Sequence, residues 1–90
     1  PVGVDVEVIR SAQEKFMRRV CSEAEMACIR PGDDGDCRRF WEIWTAKEAL
    51  FKLTGKGPLL ALSRLALPAG VTLDYTEKNG CAVTVAAQIL

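Results

Sequence analysis

Residues Trp44–Lys52 read WTAKEALFK and run directly into LTGKG at Leu53–Gly57. Lys47, Glu48 and Lys52 sit among Trp, Leu, Phe and Ala, so three charges crowd a short apolar segment. At helical spacing Trp44, Glu48 and Lys52 recur at i, i+4 and i+8 and share one stripe. Phe40, Ile43, Leu50 and Phe51 offer apolar contacts around the rest of the surface. The pattern predicts a long helix from about Cys37 to Thr54, with Asp36 as its N-cap and Gly55 as its stop.

Upstream, Val2–Ile9 (VGVDVEVI) alternates apolar and other residues as a half-buried strand does. Two short helices follow. Ser11 with Glu14 and Ser22 with Glu25 each have the spacing of a capping box, which starts one helix at Ser11 and a second over Ser22–Ile29. RPGDDGD at Arg30–Asp36 has loop composition. Downstream, LLALSRLAL is compatible with strand or short helix. In VTLDYTEKNGCAVTVAAQI two β-like runs meet at Asn79-Gly80, a strong hairpin signal. The order predicts one α+β domain over residues 1–90, with the neighbouring α/β class as the alternative.

Composition narrows the function classes. Twelve basic and twelve acidic residues cancel, which argues against nucleic acid or an acidic membrane surface as partner. Apolar runs such as PLLAL fall far short of the roughly 20 residues that span a bilayer. No charged segment followed by an apolar stretch reads as a signal peptide. The expectation is a soluble, cytoplasmic chain. There is no histidine, and Cys21, Cys28, Cys37 and Cys81 form no CxxC pair, which disfavours zinc and leaves reduced thiols as the plain reading. Ser-His and Cys-His nucleophile arrangements are excluded. Acid–base chemistry falls to carboxylates and lysines.

Asp5 and Glu7 project from one face of the first strand, and Val4, Val6 and Val8 from the other. Packed on the long helix, that strand brings Asp5 and Glu7 towards Glu48. Three carboxylates with open coordination positions suit Mg²⁺, which keeps waters and binds substrate phosphates. Lys47 and Lys52 suit the remaining phosphate oxygens. The plain alternatives are a solvated strand face for Asp5 and Glu7, a surface pair for Glu48 and Lys52, and core packing for Trp41 and Trp44.

Two linked stretches favour the chemical reading. GVDVE (Gly3–Glu7) and WTAKEALFK (Trp44–Lys52), closing with GKG at Gly55–Gly57, resemble the pattern of 4′-phosphopantetheinyl transferases of the surfactin-synthetase-activating (Sfp) type. In that pattern a G-[IV]-D-[IV]-E strand accompanies a W-[ST]-x-K-E-x-x-x-K helix. Asp5 and Glu48 lie 43 positions apart, as that pattern expects, and Phe16, Arg19 and Glu25 are similar to an intervening F-x-x-R…E segment. The likeness covers residues 2 to 57 well and the hairpin loosely.

The resemblance implies transfer of the phosphopantetheine arm of coenzyme A to a serine of an acyl or peptidyl carrier protein, releasing 3′,5′-ADP. Carried over by position, Asp5, Glu7 and Glu48 are expected to hold Mg²⁺ at the pyrophosphate. Glu48 is expected to act as base for the serine, directly or through water. Lys52 is expected to stabilise or protonate the departing phosphate, with Lys47 as a second phosphate contact. Enzymes of that type hold coenzyme A between two similar halves. The stretches matched here resemble the C-terminal half, so a second half, or self-association as in the shorter holo-acyl-carrier-protein synthases, is expected to complete the cleft. A remnant that folds and binds Mg²⁺ or a carrier protein without turnover is the alternative, as is a metal-independent interaction domain.

Overall fold

A computed structural model describes residues 1–29, 37–55 and 69–89. Within these, the order is strand β1 (Val2–Val8), helices α1 (Glu14–Val20), α2 (Glu23–Ala27) and α3 (Arg38–Thr54), then strands β2 (Val71–Lys78) and β3 (Cys81–Gln88). The class is α+β. The RPGDDGD loop with Asp36, the Lys56-Gly57 end of the GKG turn and the LLALSRLAL segment lie outside the described residues.

Asn79 and Gly80 both adopt positive φ, 53° and 75°, as a two-residue hairpin turn between right-twisting strands requires. The hairpin places β3 at the centre of a sheet of order β1-β3-β2, antiparallel throughout. β1 joins it with Val2 opposite Ala87 and Val8 opposite Cys81.

Helix α3 lies across the face built from Gly3, Asp5 and Glu7 of β1 and Ala82, Thr84 and Ala86 of β3, all but Glu7 buried. Small side chains on β3 let the helix sit low, and the buried hydroxyls of Thr45 and Thr84 meet at 2.6 Å. Gly3 carries the tightest contact. A β-carbon there would meet the backbone carbonyl oxygen of Ala49 and lie 2.7 Å from the amide nitrogen of Leu53. Backbone cannot yield as a side-chain tip does, so this position admits glycine alone. Beyond the sheet, α1 and α2 close over the N-terminal half of α3. Met17, Val20, Ile29, Phe40, Trp41 and Trp44 form the main core there, together with Ala82.

Two expectations change. The first helix begins at Glu14, with Gln13 in extended conformation and no side-chain cap, so the Ser11–Glu14 capping box does not form. The chain between β1 and α1 is held extended instead. Ile9 N–H donates to the Gly80 carbonyl at 2.9 Å, and the Trp41 indole N–H donates to the Arg10 carbonyl at 2.6 Å. The Ser22–Glu25 box does form, with both reciprocal hydrogen bonds. The second change is at α3, whose N-cap is Cys37 and not Asp36: Cys37 takes a left-handed conformation without a side-chain cap, and the helix ends at Gly55 with φ 68°.

Strand β1 turns its polar face to α3, as the convergence of Asp5 and Glu7 on Glu48 expects. Its valines face away from α3: Val2, Val4, Val6 and Val8 are 42–64% exposed, whereas Asp5 is 5% exposed. Val83 and Val85 of β3 stand beside Val6 and Val4 on that outer face, with Asp74 and Lys78 of β2 along its far edge. The usual burial of an alternating strand is inverted here.

Replacing Gly3 by alanine is expected to cost about 3 kcal/mol or more, the upper range of overpacking. An unchanged urea midpoint for Gly3→Ala would contradict the close approach of β1 to α3.

Candidate functional site

The polar face of β1 meets the Trp44–Glu48–Lys52 stripe of α3 along one seam. At its centre the buried Asp5 carboxylate accepts a hydrogen bond from Lys52 Nζ through Oδ1 at 2.9 Å. Lys52 Nζ also donates to the Val4 carbonyl at 3.0 Å. An ammonium has three donors, so one remains for another acceptor, and the Lys52 side chain is half exposed.

Asp5 Oδ2 is buried and accepts no hydrogen bond. A carboxylate oxygen without a partner in the interior is costly unless a cation or donor arrives. Burial raises the Asp5 pKa from its ordinary value against the opposing pull of Lys52, and Glu7 adds to the rise. Glu48 is half-buried, and its pKa is also raised, first by burial and then by the charge of Asp5, with Glu7 contributing and Lys52 opposing. Lys52 moves the other way in charge terms: its hydrogen bond to Asp5 raises its pKa and keeps it cationic. The seam therefore holds three mutually repelling carboxylates around one ammonium.

Glu7 sits at one end of the seam. Its Oε2 accepts from the Trp44 indole N–H at 3.1 Å, and its Oε1 lies 3.5 Å from the Arg10 guanidinium. That guanidinium stacks 4.0 Å above the Trp41 ring. Arg10 escaped sequence reasoning because it follows the strand in a connecting stretch. Its one visible signal is a basic side chain three residues after Glu7.

Asp5, Glu7, Glu48 and Lys52 are thus brought together, and Lys47 is not. Lys47 is buried on another side of α3, where Nζ donates to the Val20 carbonyl at 2.8 Å and to Glu25 Oε1 at 2.6 Å. The same Glu25 oxygen accepts the Ser22 amide that begins α2. Lys47 holds α2 and the end of α1 against α3, and both acceptors turn its ammonium away from the seam. Lys47 also lines a pocket of about 280 Å³ with Glu25, Glu42 and Leu50, but none of the seam residues take part in it.

Among the described residues no group of three or more His, Cys, Asp or Glu side chains is drawn together tightly enough to form a ready metal cage. The donor set nevertheless suits a hard, oxygen-bound cation. Its oxygens are carboxylate, one is buried and unpartnered, and neighbouring negative charge favours a dication. All four cysteines are free. Burial pushes the Cys21 thiol up to about 11, so it is inert. No helix among the described residues is long and apolar enough to cross a membrane.

The raised carboxylates set a pH dependence for the metal-free chain. A group with a raised folded-state pKa takes up protons more readily when folded, so its charge opposes folding at neutral pH and ceases to as pH falls through the folded value. Glu25, whose pKa is lowered chiefly by its hydrogen bond to Lys47 despite opposing burial, acts the other way, below the ordinary glutamate range. Measured in EDTA, Glu48→Gln is expected to raise the unfolding midpoint at pH 7, with the gap to wild type closing as pH falls through the raised Glu48 value. A gap independent of pH would remove the electrostatic account of Glu48.

No curated protein and no solved structure matches this chain. The family model described as "4'-phosphopantetheinyl transferase superfamily" matches residues 1–84, which carry β1, the three described helices and the hairpin up to Thr84. A strand supplying Asp5 and Glu7 against a helix supplying Glu48 and Lys52 is built wholly within those residues, and the chain belongs to the 4′-phosphopantetheinyl transferase superfamily.

Proposed function

We propose that this chain transfers the 4′-phosphopantetheine group of coenzyme A to a serine hydroxyl of an acyl or peptidyl carrier protein, with Mg²⁺ as cofactor. One observation carries the reading. Asp5, Glu7, Glu48 and Lys52 meet at a single seam, and Asp5 keeps a buried oxygen without a partner.

In this reading Asp5, Glu7 and Glu48 hold the dication. When bound it supplies neutralising charge for the pyrophosphate. Glu48, with its raised pKa, accepts the proton of the carrier serine. The serine oxygen bonds to the phosphorus bearing the pantetheine arm, and the bridging oxygen leaves with 3′,5′-ADP. Lys52 donates its free N–H to that departing phosphate, where charge accumulates. Lys47 serves the reaction by holding α2 in place, and the phosphate contact expected of it passes to Lys52.

In this reading a second body, either a second half or a second copy of the chain, completes the coenzyme A cleft. The exposed valine face of β1 and β3 lies on the side of the sheet away from the seam, so it can hold two copies together without itself lining that cleft. Its edge carries Asp74 and Lys78, whose opposite signs can exchange partners across a two-fold axis. Wild type is expected to sediment as an oligomer and Val6→Asp as a monomer. Wild type that stays monomeric at assay concentration would rule out the second copy.

The direct test is mass spectrometry of an apo carrier protein incubated with the chain, coenzyme A and Mg²⁺. The expected result is a gain of one phosphopantetheine on the carrier, abolished by EDTA and slowed about 10²–10⁴-fold in Glu48→Gln. No gain from folded, oligomeric protein would sink the transferase reading and favour binding without turnover.

A further inference from the structure

Glu7 is gripped from α3 by an indole, and nothing in the transfer chemistry uses that contact. Trp44 is 7% exposed, and its ring packs 5.5 Å from Phe16, 6.3 Å from Phe40 and 6.4 Å from Trp41, centroid to centroid. Held this way, the ring has no freedom to redirect its N–H, which donates to Glu7 Oε2 at 3.1 Å. The opposite oxygen faces Arg10, itself clamped in three ways. Its guanidinium stacks on Trp41, its NH1 donates to the Val8 carbonyl at 2.7 Å, and its own carbonyl accepts the Trp41 indole at 2.6 Å. The one donor to Glu7 and its charged neighbour are thus both locked by the aromatic core and the strand end.

We propose that Trp44 is a positioning residue whose indole N–H fixes the Glu7 carboxylate for a divalent cation shared with Asp5 and Glu48. The inference rests on reading the seam as a cation and phosphate site. A free glutamate side chain loses about 1.5–2 kcal/mol of rotamer freedom when a ligand orders it. Ordering it beforehand removes that penalty from the binding step. Partners that orient ligating carboxylates typically contribute 10–100-fold in metal affinity. A phenylalanine keeps an aromatic ring in the cluster, leaves part of the indole's space empty, and removes the N–H that meets Glu7.

The test is Mg²⁺ titration calorimetry on wild type, Trp44→Phe, Glu7→Gln and the double variant, with ¹⁵N spectra of the indole groups. The chain has two tryptophans, so Trp41, bonded to a backbone carbonyl, serves as internal control. Trp44→Phe is expected to weaken Mg²⁺ binding about 10-fold while keeping the fold, and to add nothing in the Glu7→Gln background. The Trp44 indole resonance is expected to move in Glu7→Gln while that of Trp41 stays in place. Undiminished binding by Trp44→Phe, or a loss that adds in full to that of Glu7→Gln, would overturn the positioning role. Wild type that binds no Mg²⁺ would overturn the cation reading beneath it.

Discussion

Everything at the seam depends on how closely the backbone of β1 approaches α3. That distance is set where Gly3 faces the turn from Ala49 to Leu53, with no room for a β-carbon. Two residues on, the contact places Asp5 within reach of Lys52, and two further places Glu7 under Trp44. Strand periodicity of two and helix periodicity of nearly four then run in step along the seam. The small residues Ala82, Thr84 and Ala86 of β3 extend the same low seating of the helix across the sheet.

The seam is electrostatically unfavourable as it stands. Burial opposes the charge of Asp5 and Glu48, and their mutual repulsion adds to it. Lys52 compensates one oxygen of Asp5 and leaves the other without a partner. Such an arrangement survives because the aromatic core around Phe40, Trp41 and Trp44 and the Lys47–Glu25 anchor stabilise the surrounding elements. Strain of this kind concentrates where a protein binds charged ligands. The two lysines of WTAKEALFK divide the work. Lys52 faces the seam, and five positions earlier Lys47 points into the α2 contact, where it satisfies two acceptors.

Much of this was legible in the sequence. Asn79-Gly80 named the hairpin because only residues tolerant of positive φ close so tight a turn. The Ser22–Glu25 box and Gly55 marked ends of α2 and α3 through equally local chemistry. The i, i+4, i+8 stripe on α3 and the shared face of Asp5 and Glu7 predicted the seam. What failed did so through tertiary contacts. Ser11 and Glu14 have capping spacing, but Trp41 and Gly80 hold the backbone extended up to Arg10. Lys47 looked equivalent to Lys52 by charge and proximity. A rotation of 100° per residue sends it to another neighbour.

Because β1 pairs in the sheet with β3, across a register running from Val2–Ala87 to Val8–Cys81, the residues at opposite ends of the described chain must meet before Asp5 and Glu7 have a strand to rest on. During vectorial synthesis the first strand emerges early and waits for the last. Its polar side cannot bury against α3 until β3 arrives to align it. The aromatic core of α1, α2 and α3 also closes on Ala82 of β3, so core and seam share contacts between distant parts of the chain, the kind that slow folding. Loss of β3 therefore removes the partner of β1 and a buried residue of the core together, so a complete seam and a complete core belong to the same chains.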